Sequence, residues 1–97
     1  MLSYIHRHYW DKLTTKDIAD AANISVGECC RCFKTVLLTT PQKYLNKYRV
    51  NKAIELLNSS EYSITEIAQK VGFNYTSHFI EHFKSHTNST PNAYRRK

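Results

Sequence analysis

The sequence predicts an all-α fold built from one supersecondary unit that is used twice. Short polar segments with capping-box spacing precede apolar residues at helical spacing, and no segment shows the alternation typical of a strand. Internal repetition predicts the duplication, because self-similarity at a fixed period marks one structural unit used again. The repeated residues are Ile18-Ala19, Phe33-Lys34, Pro41 and Tyr44, which recur as Ile67-Ala68, Phe83-Lys84, Pro91 and Tyr94. The separation between matching residues of the two copies increases by one after Ile24 and Phe73. The second copy therefore carries one extra residue in the connection that follows.

Length and charge limit the organisation and the partners of the chain. Ninety-seven residues suffice for one domain, but each copy has only about 45, a size at which a core is marginal without help. Two small lobes that share an element are therefore expected. Fourteen Lys and Arg against eight Asp and Glu give a net charge of +6, which favours an anionic partner, either nucleic acid or an anionic membrane surface. No apolar run approaches the roughly 18 residues of a membrane span, so a soluble, cytoplasmic protein is expected.

The first two helices are short. The apolar residues of the first, which ends before Leu13, are Leu2, Ile5 and Tyr9. The second begins at a capping box, in which the Thr14 hydroxyl precedes the Asp17 carboxylate by three residues and both can satisfy free amides. Its predicted inner face consists of Ile18, Ala19 and Ala22.

The third helix follows a break at Asn23-Ile24 and leads into a long fourth helix. A second capping box, Ser25 with Glu28, starts the third helix. Its predicted buried stripe is Cys29, Cys32, Phe33 and Val36. Proline at Pro41, after Thr40, suits the first position of the next helix, which runs to about Leu57. The candidate apolar contacts of that helix are Tyr44, Leu45, Tyr48, Ala53, Leu56 and Leu57.

The second copy repeats the first after a polar connector at residues 58–61. A third capping box, Ser63 with Glu66, opens a helix. The expected inner faces are Ile67, Ala68 and Val71 on that helix, and Phe79 and Phe83 on the helix after the turn at Gly72-Phe73-Asn74. Pro91 opens a short last helix. The chain therefore divides into a first lobe of about residues 1–40, a linker helix of about 41–57 and a second lobe of about 62–97.

A short capped helix, a tight turn and a second capped helix form a helix-turn-helix, whose second helix can enter a DNA major groove. With Cys29 and Phe33 inward, Arg31 faces away from the core, and its guanidinium can bond guanine O6 and N7. Gly27 and Cys30 share the outward half as further base-contact candidates. A solvated surface arginine is the alternative for Arg31.

The same geometry in the second copy places Glu81 opposite Phe79 and Phe83. A carboxylate repels phosphate but accepts a hydrogen bond from cytosine N4; the alternatives are a solvent-facing Glu81 or a pair with a neighbouring lysine. Thr76 and Ser77 are the other base-contact candidates of this lobe. The candidate phosphate contacts of both lobes are Ser25, Lys34, Asn74 and Lys84.

These residues carry a resemblance to the AraC/XylS family of bacterial transcription regulators. The matching positions are Leu13-Thr14, Ile18-Ala19, Phe33-Lys34, Pro41, Tyr44-Leu45, Tyr48-Arg49, Ala53, Leu56-Leu57, 63–68, Gly72-Phe73, Phe79, Phe83-Lys84, Pro91 and Tyr94-Arg95. The resemblance implies seven helices, with two helix-turn-helix lobes held by the long helix. It also implies sequence-specific binding of double-stranded DNA in successive major grooves, and hence regulation of bacterial transcription.

Two positions depart from the family pattern, and one expected domain is absent. Glu81 stands where the family often has arginine. Leu38 replaces a usual glycine, so the end of the third helix is expected to be strained or differently shaped, whereas Asn88 in the second lobe tolerates a left-handed backbone. A sensing domain normally accompanies this module, so the chain is either a short regulator or a fragment. Activation or repression, the operator and the signal stay open.

Other functional classes fit the sequence less well. His78-Phe79-Ile80-Glu81-His82 matches a zinc-peptidase string, but the two phenylalanines Phe79 and Phe83 are needed in the core, so no metal site is expected. Cys29 and Cys32 are expected to pack as small hydrophobes rather than form a redox or metal cluster, while Cys30 is expected to be exposed. A module that docks on RNA polymerase is the second functional hypothesis, and membrane-surface binding is disfavoured. No catalysis and no cofactor are expected.

Overall fold

The computed structural model describes residues 1–95, and the last two residues of the expected second lobe, Arg96 and Lys97, lie outside the described residues. Within that range the chain is all-α, as predicted, and measures 42 × 22 × 21 Å. Its seven helices are α1 (Leu2–His8), α2 (Thr15–Ala21), α3 (Val26–Leu37), α4 (Pro41–Ser59), α5 (Ile64–Lys70), α6 (Thr76–Thr87) and α7 (Pro91–Arg95).

All three predicted capping boxes are present, and they fix where α2, α3 and α5 begin. At α2, the Asp17 amide donates to the Thr14 hydroxyl over 3.1 Å, and the Thr14 amide donates back to the Asp17 carboxylate over 3.0 Å. Hydrogen bonding of the carboxylate to Thr14, by its backbone amide first and its side chain second, holds the pKa of Asp17 below its ordinary value. Each box satisfies amides that a helix start would otherwise leave unpaired.

The long helix α4 supplies side chains to two separate hydrophobic cores. In the first lobe, Leu45 packs with residues of α1, α2 and α3. These residues are Ile5, Ile18, Ala19, Cys29 and Phe33. In the second lobe, Val50, Ala53 and Leu57 pack with Ile67, Ala68, Val71, Phe73, Phe79 and Phe83. Each lobe is too small to bury a large core alone, so α4 is the shared element that both cores require.

Arg49, the one buried charged residue of the described chain, joins the two lobes at the middle of α4. Its Nε donates to the carbonyl of Tyr9 over 2.7 Å, and its Nη2 donates to the carbonyl of Asp11 over 2.8 Å. On its other side, the guanidinium lies 5.7 Å from the ring centre of Phe73 in the second lobe. Burial lowers the pKa of Arg49, but a guanidinium stays protonated in proteins. The hydrogen bonds therefore hold the end of α1 on α4, and the guanidinium also contacts the turn that leads into α6.

Helix α4 ends at Ser59, two residues beyond the predicted end at about Leu57. The Ser59 and Ser60 hydroxyls donate back to carbonyls of its last turn over 2.7 and 2.6 Å.

Two predictions about the buried stripe of α3 were wrong. Cys32 is exposed, and Val36 is 71% exposed, rather than buried. Both line an open apolar groove between α3 and the start of α1, because the short first helix does not cover the last turns of α3.

The end of α3 has the same shape as the end of α6, so of the two expected alternatives, a strained end or a differently shaped end, the structure has the first. Leu38 has φ 56° and Asn88 has φ 58°, so both residues close their helices in the left-handed conformation. Leucine adopts this conformation at a cost of about 1–2 kcal/mol. The strain expected at Leu38 is therefore present, without a change of shape.

Replacing Leu38 with glycine is expected to raise the free energy of unfolding by about 1 kcal/mol, because glycine carries no Cβ penalty at positive φ. Little packing is lost, since Leu38 is 86% exposed. Thermal unfolding should show a rise of about 4–8 °C. Asn88→Gly is the matched control, and its gain should be smaller because asparagine already tolerates this backbone. Equal gains at both positions would contradict strain at Leu38.

Candidate nucleic-acid interface

The two helix-turn-helix units have the same turn. In the first, the Ile24 amide donates to the Ala19 carbonyl over 3.1 Å, and in the second, the Phe73 amide donates to the Ala68 carbonyl over 2.9 Å. Each turn passes through one residue with positive φ, Asn23 in the first lobe and Gly72 in the second. The predicted duplication is therefore present at the level of single hydrogen bonds.

The extra residue of the second copy lies between this turn and the start of α6. One residue, Ser25, separates Ile24 from α3, whereas Asn74 and Tyr75 separate Phe73 from α6. As a result the N-cap residue of α6 is Tyr75, which forms no side-chain cap, whereas the Ser25 hydroxyl caps α3 by accepting from the Glu28 amide over 3.1 Å. The Ser25 hydroxyl, a phosphate candidate from sequence, is thus already engaged, also donating to the Glu28 carboxylate over 3.1 Å.

Helix α3 presents the predicted base-reading face to solvent. Cys29 and Phe33 are buried, and Arg31 on the opposite side is exposed. The guanidinium lies back over the start of the helix, since a Cβ at Gly27 would stand 3.8 Å from Arg31 Nη1. Cys30 and Lys34 are also exposed. The structure therefore brings the first-lobe candidates together on one open helix face.

Helix α6 presents the equivalent face of the second lobe. Phe79 and Phe83 are fully buried, whereas Ser77, Glu81 and Lys84 are exposed. Thr76 is half-buried at the first position of the helix, and Asn74 is exposed in the connection before it. Among residues 1–95, no lysine, arginine or histidine lies within ion-pair distance of Glu81, so its carboxylate faces solvent.

Matching aromatic contacts hold α3 on α4 and α6 on α7. The Phe33 ring lies 5.8 Å from Tyr44, and the Phe83 ring lies 5.5 Å from Tyr94, both edge to face. Each tyrosine stands three residues after the proline that opens its helix. The inward anchor of each helix is therefore held in the same way, which leaves both opposite faces open.

The histidines and the buried cysteine of these motifs pack against neighbouring side chains. His82 stacks on Phe73 at 5.6 Å and His78 contacts Tyr75 at 5.2 Å. Within the described range, no three His, Cys, Asp or Glu side chains are grouped so as to hold a metal ion. Cys29 packs in the first core, and burial raises the pKa of its thiol. No helix among residues 1–95 is long and apolar enough to cross a membrane.

The structural role of Arg49 was not predicted. The spacing of Leu45, Arg49, Ala53 and Leu57, four residues apart, could have indicated that Arg49 is buried. An arginine at that spacing lies on the buried face of its helix. Arg49 contacts neither outward face, but it fixes the position of one lobe on the other.

Comparisons with known proteins identify the family. Residues 18–97 match a family model described as a helix-turn-helix domain. An uncharacterized HTH-type transcriptional regulator of Bacillus subtilis, YdeC, is 46% identical over 96 residues, which cover 99% of this chain and 33% of the relative. The chain spans 33 to 38% of the length of the curated relatives it matches.

Solved structures share the fold over nearly the whole chain. A Chromobacterium violaceum regulator described as an AraC-type DNA-binding domain protein gives a TM-score of 0.92 at 34% identity, covering 98% of this chain and 85% of that one. The DNA-binding domain of AdpA, solved in complex with a target DNA, gives 0.93 at 28% identity, covering 98% and 86%. The family model matches most of the sequence, and the chain therefore belongs to the AraC/XylS family of transcription regulators.

Proposed function

We propose that this domain binds specific sites in double-stranded DNA by placing α3 and α6 in successive major grooves, and that it thereby regulates bacterial transcription. The observation that carries the proposal is the pair of equivalent open helix faces on one elongated body with a net charge of +6. The complex of the related AdpA domain with its target DNA supports it. The related proteins are transcription regulators, and we assign no catalytic role and no cofactor to this chain.

The roles of individual residues follow from chemistry and position. Arg31 is the lead base reader, because its fork geometry suits guanine, and Gly27 and Cys30 flank it on the open face. Thr76, Ser77 and Glu81 are the base-reading candidates of the second lobe. Lys34 and Lys84 provide cations for phosphates, together with helix starts and the Asn74 amide group. A sensing domain and RNA polymerase are further partners proposed for the whole regulator, acting in the cytoplasm at the nucleoid.

Duplex binding is expected to weaken steeply as salt increases, because each phosphate contact releases condensed counterions. If about six phosphates are engaged, log K against log salt concentration should have a slope near −5. Fluorescence anisotropy with a labelled duplex measures this slope. A slope near zero would sink the DNA-binding function and favour the alternative, a module that docks on another protein.

Arg31→Ala is expected to lower affinity for the preferred duplex by about 1–3 kcal/mol and to relax specificity at one position of the first half-site. Lys34→Ala is the matched control on the same helix, and it should weaken binding to all sequences alike and reduce the salt slope by about 1. Selection from a random duplex library compares the two variants. An unchanged selected motif with Arg31→Ala would show that this guanidinium does not read a base.

We also expect a weaker second half-site about one helical turn away, since Glu81 faces outward there.

A further inference from the structure

A cleft with a volume of about 350 Å³ lies between the N-terminal half of α4, with the connection that precedes it, and the last turns of α6. We call it the inter-lobe cleft. It is lined by Thr39 after α3, Lys43, Asn46 and Lys47 on α4, and His82, Ser85 and His86 on α6. Two of these side chains are cations and two are imidazoles, and none of the lining residues is acidic. Within residues 1–95, neither lysine and neither histidine forms an ion pair.

The cleft adjoins the outward face of α6 at the last turns of that helix. Ser85 follows Glu81 by one turn on α6, so the outward face of that helix runs into the cleft. Thr39 follows Leu38, the residue that closes α3. A duplex with both helices in successive major grooves must present the phosphates that flank the intervening minor groove to the surface between the helices. A cleft that adjoins the outward face of α6 and the end of α3 can meet these phosphates.

We propose that the inter-lobe cleft binds a phosphodiester group of the DNA segment between the two half-sites, with Lys43 and Lys47 as permanent cations and His86 as a cation formed on binding. This inference rests on the proposed DNA-binding function and extends it. It assigns a DNA contact to the exposed side chains of Lys43 and Lys47 on α4. It also makes DNA affinity depend on pH.

The surroundings of His86 set the direction of that dependence. Partial burial, then the charges of His82 and Lys47, lower the pKa of His86 below its ordinary value of 6.5, so the free imidazole is mainly neutral near pH 7. Lys43 also faces the cleft from α4, and the other lining groups are neutral. A bound phosphodiester brings negative charge and favours the imidazolium. The pKa of His86 is therefore higher in the complex than in the free protein.

Proton uptake on binding follows from that difference. A group whose pKa rises on binding strengthens the complex as pH falls and loses its contribution as pH rises through the pKa in the complex. Affinity should therefore increase as pH falls below about 7 and level off below the pKa of free His86. Where one proton is taken up, the increase approaches about tenfold per pH unit.

The test compares duplex affinity at constant ionic strength from about pH 5.5 to about pH 8, the range in which imidazoles titrate. His86→Gln is expected to remove most of the increase at low pH, while affinity at high pH stays close to that of the unmodified chain. His8→Gln is the matched control. His8 lies on α1, 3.6 Å from the Asp11 carboxylate and outside the cleft. This control should keep the pH dependence.

A modified duplex locates the phosphate. Neutral methylphosphonates at the backbone positions between the half-sites should abolish the difference between the unmodified chain and His86→Gln, whereas the same change at the outer ends of the site should preserve it. An identical pH profile for the unmodified chain and His86→Gln would overturn the cleft proposal while salt-dependent binding persisted. Absence of salt-dependent binding at every pH would instead overturn the proposed function.

Discussion

Replacing Gly72 with alanine is expected to lower the free energy of unfolding by about 3 kcal/mol or more, a large part of the stability of a small domain. Gly72 has φ 103°, a backbone conformation that L side chains rarely adopt. An added Cβ would stand 2.5 Å from the Tyr9 carbonyl oxygen, 2.9 Å from Arg49 Nε and 3.0 Å from Trp10 Cα. Two of these atoms are backbone of the first lobe, so relief requires the lobes to move apart. Urea unfolding followed by circular dichroism measures the change.

Asn23→Ala is the matched control, because Asn23 occupies the equivalent turn of the first lobe with φ 57°. Asn23 is exposed, so alanine should cost only the backbone penalty of about 1–2 kcal/mol. The difference between the two variants isolates the contact between the lobes. If both variants lose the same stability, close packing of Gly72 on the first lobe is not what requires glycine.

Local chemistry explains which parts of the fold the sequence predicted. A capping box is complete within four residues, so Ser25 with Glu28 fixes the start of α3 whatever packs around it. The outward direction of Arg31 follows as directly, because Cys29 and Phe33 on the same helix define the inward side. The repeat extended the second inference to α6, whose start carries no side-chain cap. Which nucleotide contacts these faces make is a property of the complex, and it stays a prediction.

Contacts between distant parts of the chain explain what the sequence did not predict. Val36 has the spacing of a buried residue, but the first helix is too short to cover it. The inter-lobe cleft collects Lys47 and His86 from helices that are far apart in sequence. Helical periodicity describes one helix at a time, so neither result could be derived from it.

Arg49→Met is expected to lower the free energy of unfolding by about 2–4 kcal/mol, because it leaves the partly buried carbonyls of Tyr9 and Asp11 without their donor. Methionine keeps a similar apolar volume, so the loss reports the hydrogen bonds rather than a cavity. Lys52→Met is the matched control. Lys52 lies on the same helix and forms an exposed pair with Glu55 at 3.3 Å. Its removal should cost no more than about 1 kcal/mol.

Arg49→Lys separates folding from the alignment of the lobes. Lysine keeps the charge, but one ammonium cannot reproduce the two bonds of the guanidinium to Tyr9 and Asp11 in their fixed geometry. The lobes should then fold but sit less firmly on each other, so affinity for a duplex with both half-sites should fall more than affinity for a single half-site. Anisotropy titrations with the two duplexes measure the ratio. An equal loss on both would mean that Arg49 supports the stability of the domain without setting the spacing of its two DNA-reading helices.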